Sequence, residues 1–206
     1  MLKLWGRVNS INVQKVRWAI GELNLPCERL DAGLEFGVVN EPWYRSMNPN
    51  GRVPTIDDNG FVLWESNAIV RYLACRYGSG SLWPVDIEAR ADADRWMDWT
   101  TSTLHPLVTP VFWGLIRTAP EKRNVAEIND GVKKINETLA VIDHALDGRA
   151  YMAGPQLTMG DIPLGTFVWR WYSMPVERVR HARLEAYLAR LQTRAAFRDN
   201  VMIPLT

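Results

Sequence analysis

The chain is poor in cysteine, with only Cys27 and Cys75 among 206 residues. Two buried free thiols in a reducing cytoplasm fit this usage better than a disulfide. Histidine is as scarce: His105, His144 and His181 lie far apart, without the spacing of metal ligands, so no metal is expected. Neither sign of charge is in excess. The 24 basic and 23 acidic residues leave a formal charge of +1, which gives no global field to attract nucleic acid or an anionic membrane. Long apolar runs are missing too. The start, Met1 to Gly6, is too short for a secretory leader. Leu104 to Ile116, interrupted by Pro106 and Pro110, is too short to span a bilayer. A cytoplasmic globular protein is expected, with neither nucleic acid nor membrane as a partner.

Hydrophobic residues make up 47% and charged residues 23% of the chain, enough apolar material for a core. Tryptophan is the unusual abundance, at ten copies. Most are expected to fill the core. Indole also offers a large contact area at low entropy cost, so others are expected to line an apolar ligand cavity.

Along the chain, residues 1–78 alternate extended and helical signals. Leu2 to Trp5 reads as a strand, then Val13, Val16, Ile20 and Leu23 recur at helical spacing up to Asn24 and Pro26. Cys27 to Leu30 reads as a second strand, parallel to the first because a helix intervenes. The segment from Gly33 to Met47 reads as loop plus a short helix. Asn48-Pro49-Asn50-Gly51 is a turn signal, and strands over Val53 to Ile56 and Phe61 to Leu63 flank a second turn at Asp57-Asp58-Asn59-Gly60. Helical spacing returns from Ser66 to Tyr77. Gly78 to Ser81 and Pro84 then mark a linker.

From Ile87 onward nothing reads as strand. A long helix is expected from Glu88 to about Arg117, bent or broken at Pro106 or Pro110. Others follow over Asn124 to Asp147, from Thr158-Met159-Gly160-Asp161 onward, and over Arg183 to Gln192. Thr158 and Asp161 form a short-acid variant of a capping box. The fold class expected is α/β followed by all-α, with domains at 1–80 and 87–206.

Two polar signals stand out against this layout, Arg52-Val53-Pro54-Thr55 and Trp64-Glu65-Ser66-Asn67-Ala68, separated by the hairpin. An extended residue beside a proline, with an acid beside a serine at a helix start, suits the two ends of a small peptide. In their order along the chain these motifs resemble the cytosolic glutathione transferase family, over nearly the whole length. The likeness is to serine-type bacterial members of theta, zeta or beta character. It implies a thioredoxin-like N-terminal domain, an all-helical C-terminal domain, a homodimer, and glutathione as co-substrate.

The resemblance assigns roles residue by residue. Ser10, just before the first helix, corresponds to the serine that stabilises the glutathione thiolate. Asn12 and Asn9 remain rivals, since an amide also donates, and helix capping is the plainer role for Ser10 or Asn12. Pro54 corresponds to the cis-proline that frees the Val53 backbone to pair with the cysteinyl residue of glutathione. Ser66 and the helix amides suit the α-carboxylate of the γ-glutamyl group, Glu65 its ammonium, and Arg52 the glycyl carboxylate. Asp98 is expected to approach the ammonium across a dimer interface. An electrophile pocket is expected from Trp5, Val8, Trp99, His105, Phe112 and Trp113.

Thiolate attack on a small, largely apolar electrophile is the function implied, by conjugation, halide displacement or peroxide reduction. Zeta-like isomerisation is disfavoured because that class has Ser-Ser-Cys where this chain has Ser10-Ile11-Asn12. Disulfide exchange is disfavoured because Cys27 is at the far end of the first helix. A non-catalytic interaction module of the same fold is the alternative from another class.

Overall fold

The computed structural model describes residues 1–206. Its first half is a four-stranded sheet with strand order β2-β1-β3-β4. Strands β1 (Leu2–Trp5) and β2 (Cys27–Leu30) are parallel, joined by α1 (Ile11–Glu22). Helix α2 (Pro42–Met47) leads to β3 (Thr55–Asp58), which runs antiparallel to both β1 and β4 (Phe61–Trp64). The β3–β4 turn places Asn59 and Gly60 at φ 54° and 94°, the left-handed pair that a two-residue hairpin requires. Pairing in β3 starts at Thr55 opposite Trp64 and not at Val53, because Pro54 has no N–H to contribute to a ladder. Helix α3 (Ser66–Tyr77) returns across the sheet against α1.

The second half is helical throughout: α4 (Ile87–Trp99), α5 (His105–Phe112), α6 (Val125–Ala145), α7 (Asp161–Ser173), α8 (Ala182–Gln192) and α9 (Ala195–Asn200). The expected single helix from Glu88 to Arg117 is instead broken by wide, π-type turns at Thr100–Leu104 and Trp113–Arg117. Two causes act together. The hydroxyls of Thr100 and Thr101 donate to the carbonyls of Trp96 and Met97 one turn back, competing with the main chain. Pro106 and Pro110 supply no N–H to the helical ladder. Helix α9 is an element that the sequence reading missed, and the two free thiols expected to be buried are not: Cys27 is half-buried and Cys75, on α3, is exposed.

The halves share one core. Trp18 on α1 is fully buried, edge-on to Phe197 of α9 at 4.7 Å between ring centroids. It reaches this position over Gly165 of α7, where an added Cβ would lie 2.9 Å from the indole. Glu22 ties the contact down, accepting from Trp18 Nε1 at 2.8 Å and pairing with Arg194 at 2.5 Å. Helix α7 is pinned by Asp161. Its buried carboxylate accepts from the Met152 and Thr158 amides at 2.9 Å, and from the Thr158 and Tyr187 hydroxyls at 3.1 Å. Burial raises the Asp161 pKa to about 6, against the opposing pull of these donors.

Candidate active site

Helix α1 starts at a loop that crosses tightly over it. Gly6, directly after β1, leaves no room for a side chain, since a Cβ there would meet Val13 at 2.4 Å. Ser10 occupies the N-cap in extended conformation and its carbonyl accepts the first helical bond, from Gln14 at 2.9 Å. Its hydroxyl makes no capping bond. Nor do the amides of Ile11, Asn12 and Val13 find main-chain acceptors, as expected for a first turn. The oxygen of Ser10 and the positive end of the helix therefore both lie open at a cleft of about 490 Å³ between the two halves.

Asn12 is differently placed. Its Oδ1 accepts from Lys15 Nζ at 3.0 Å and from the Ser66 hydroxyl at 3.3 Å. Lys15 is 2% exposed, without a carboxylate partner, and its ammonium lies 5.2 Å from the Phe167 ring centroid. Burial, with repulsion from Arg170 and only weaker attraction from Glu65, lowers its pKa to about 7.

The opposing loop is held from beneath. The Val53–Pro54 bond is cis. The carbonyl of Arg52 accepts from the Tyr44 hydroxyl and from Asn48 Nδ2, both at 2.8 Å. Buried Asn48 also bonds Thr55 Oγ1 at 3.0 Å and receives the Asn50 amide at 3.1 Å. Val53 itself, bordering the cleft, has neither its N–H nor its C=O paired within the chain. Glu65, exposed, precedes α3 at φ 73°, a strained conformation costing about 1–3 kcal/mol for a residue with a side chain.

The structure brings Ser10, Asn12, Arg52, Val53, His105, Phe112 and Trp113 to one cleft, with Pro54 buried behind Val53 and Ser66 beside Asn12. Three expected pocket residues lie elsewhere. Trp5 is buried with Ala32 and Tyr44 in a small separate cluster. Val8 is exposed, and its carbonyl receives Gln14 Nε2 at 3.3 Å. Trp99 packs edge-on against Trp96 at 5.5 Å. Asp98 pairs with Arg71 of its own α3, which also holds Asp94 at 2.5 Å. A larger groove, about 780 Å³, lies between α6 and the segment after α7, but it contains none of the residues that meet at Ser10.

Known proteins match this chain in sequence and in fold. The glutathione S-transferase N-terminal domain matches residues 1–75, and the glutathione S-transferase C-terminal domain residues 125–190. The chain belongs to the glutathione S-transferase family. It is 39% identical to glutathione S-transferase GstB of Escherichia coli strain K12, over 100% of both chains. The theta class glutathione S-transferase of Xanthomonas axonopodis pv. citri with glutathione bound superposes at a TM-score of 0.96 and 45% identity, covering 100% of this chain and 99% of that one. Its apo form, covering 100% and 98%, gives 0.88 at 41% identity.

Within this cleft the sequence reading missed four cations: Arg7, Arg117 and Arg170 on its wall, and Lys15 beneath it. Two carried a visible signal. Arg170 interrupts the aromatic run Phe167-Val168-Trp169-Arg170-Trp171, and Lys15 sits between Val13 and Val16 on a helix. A charged residue inside an apolar pattern is buried for a reason. His105, half-buried beside Lys15 and Arg170, has its pKa lowered by desolvation first and those charges second, and is neutral at pH 7.

Proposed function

We propose that the chain, a transferase by family, activates glutathione as thiolate at Ser10 for attack on a small electrophile. Residues 1–80 would hold glutathione and 87–206 would supply the electrophile wall. The observation that carries this reading is the Ser10 hydroxyl, unbonded at the start of α1 and facing the same cleft as the unpaired Val53 backbone. A thiol of pKa ~8.5 is only a few per cent ionised at pH 7. Lowering that pKa by about two units requires roughly 2.7 kcal/mol of preferential stabilisation of the anion. One hydroxyl donor with a helix N-terminus supplies interactions of this size.

The remaining partners follow. Val53 offers both halves of a backbone rung to the cysteinyl residue, Ser66 and the α3 amides face the γ-glutamyl carboxylate, Glu65 its ammonium, and exposed Arg52 the glycyl end. Ser10 is favoured because its hydroxyl is unbonded at the N-cap itself; Asn12, whose Oδ1 is held by Lys15 and Ser66, keeps its Nδ2 as the rival donor. A cytoplasmic homodimer belongs to the same reading. No helix of the chain is long and apolar enough to cross a membrane.

Retention on immobilised glutathione together with turnover of 1-chloro-2,4-dinitrobenzene tests the reading. Ser10→Ala is expected to lower kcat/KM about 100-fold and to move the pH midpoint of kcat/KM up towards the free thiol's. An unchanged midpoint would transfer the role to Asn12 or Asn9. Retention without turnover of any electrophile would leave a binding module.

A further inference from the structure

The cleft at Ser10 is cationic in a chain that is otherwise nearly neutral. Arg7, Arg52, Arg117 and Arg170 border the cleft, and no aspartate or glutamate does. The ion pairs of the molecule use none of these four, nor Lys15. Arg170 is only 7% exposed, yet its Nε has no partner, and the buried Nε of Arg7 is equally unpaired.

These guanidinium groups are aimed, not merely accumulated. Arg170 stacks over Phe112 at 4.3 Å and spends Nη2 on the Asn9 carbonyl at 3.3 Å. Arg117 stacks over Trp113 at 4.6 Å and gives Nε and Nη2 to the Thr206 carbonyl at 3.2 and 3.0 Å. Donors remain on Arg117 Nη1, on Arg170 Nη1 and Nε, and on the whole of Arg7. The three also repel one another. Arg7 is lowered by burial and then by Arg117, with Glu35 opposing more weakly, and Arg170 falls to about 9 through burial and then Arg117 and Arg7. One buried and two half-buried like charges with free donors are stabilised when an anion reaches them.

We propose that the electrophile of this transferase is itself an anion: a carboxylate or similar group on a compact apolar body, held by Arg7, Arg117 and Arg170 while its reactive carbon faces Ser10. This rests on the transferase reading. Phe112 and Trp113 would contact the apolar body. In the reaction the glutathione sulfur forms the new S–C bond, the leaving group departs as halide with the bonding pair, and the thiol proton passes to water. The substrate anion is a spectator that fixes orientation.

The test pairs 4-chloro-3,5-dinitrobenzoate with its methyl ester, which share ring and leaving group and differ in charge. Each kcat/KM is divided by the uncatalysed rate with glutathione. The protein is expected to favour the benzoate at least tenfold on this scale. Arg117→Gln and Arg7→Gln should each cost the benzoate about ten- to hundredfold, the worth of one charge-assisted hydrogen bond. That loss should fall chiefly on KM, with the ester and the KM for glutathione changed less than twofold. Arg117→Lys, retaining the charge, should recover part of the loss. Equal losses on both electrophiles, or a raised KM for glutathione with either, would overturn the proposal, the latter by assigning these arginines to glutathione. Turnover of the ester with no preference for the benzoate overturns it while leaving the transferase reading intact. Turnover of neither overturns the proposal, and the assay with 1-chloro-2,4-dinitrobenzene then decides the transferase reading separately.

Discussion

The two walls of the cleft are built by different means. On the sheet side, main chain supplies much of what stands unpaired at the cleft, the open amides at the start of α1 and the backbone of Val53, beside the side chains of Arg7, Ser10 and Arg52. Side chains such as Asn48 and Tyr44 work from below to hold that backbone. On the helical side, the working groups are side chains, Phe112, Trp113, Arg117 and Arg170, carried by helices that are irregular or pinned from afar. A backbone wall presents the same groups whatever its side chains, and suits a ligand that never varies. A side-chain wall can be re-lined by substitution, and suits the substrate that distinguishes one family member from another.

The largest effect is expected where the helical wall depends on a single group. Asp161→Ala would leave the Met152 and Thr158 amides and the Tyr187 hydroxyl buried without an acceptor. Each such orphan costs about 1–3 kcal/mol, so a loss of about 3 kcal/mol or more is expected. A lowered denaturation midpoint at unchanged m-value reads this directly. A loss under about 1 kcal/mol would show that α7 is held by its apolar face alone. The raised pKa adds a sign. The native state holds the proton more tightly than the unfolded chain, so the Asp161 contribution falls as pH rises from 3.8 to about 6.

On the backbone wall the corresponding anchor is Asn48, which bonds the Arg52 carbonyl, the Thr55 hydroxyl and the Asn50 amide. Support there is shared with Tyr44, so the expected cost of Asn48→Ala is smaller, about 1–2 kcal/mol. Its functional effect should be selective: a rise in the KM for glutathione of about tenfold, with kcat changed little. An unchanged KM would mean that Tyr44 alone fixes the loop, and that the backbone wall is less delicate than the helical one.

This difference in construction also explains what the sequence disclosed. The backbone wall was legible because local chemistry specifies it. A turn at Asn48-Pro49-Asn50-Gly51, a proline after Val53, a hairpin at Asn59-Gly60, a serine just before α1 and another as the first residue of α3 are short-range signals with fixed geometric meaning. The helical wall was less legible because facing is a long-range property. Trp5 and Trp99 have the same chemistry as Trp113, yet one packs with Tyr44 and another with Trp96. Which face of α4 and α5 meets the cleft depends on the widened turns at Thr100–Leu104 and Trp113–Arg117, which shift the helical phase away from a uniform 3.6-residue period. Arg117 and Arg170 are separated by more than fifty residues and meet only in the fold.

The subtlest expected effect lies where the two walls meet, at Lys15. Its ammonium is within 3.0 Å of Asn12 Oδ1 and 3.5 Å of Ser66 Oγ, the position proposed for a glutathione carboxylate. In the unliganded chain Arg170 opposes its charge, Glu65 supports it weakly, and neutral His105 and the Phe167 ring complete the surroundings. The folded pKa of about 7 is below the unfolded value of 10.5, so the unfolded chain binds more protons between these limits. The Lys15 contribution to stability therefore improves as pH rises from about 7 to 10.5 and is at its constant worst below that window. A carboxylate arriving beside Ser66 reverses the bias and draws a proton onto Lys15. Calorimetry of S-methylglutathione binding, whose blocked sulfur releases no proton, should show uptake of a fraction of one proton near pH 8. The apparent heat would then vary with the ionisation enthalpy of the buffer. Lys15→Met should abolish that variation and weaken binding about two- to fivefold. Its native state should also lose the rise in stability above pH 7. Equal proton uptake by both proteins would show that the carboxylate binds away from Lys15, and that the backbone wall holds glutathione without help from the buried charge behind it.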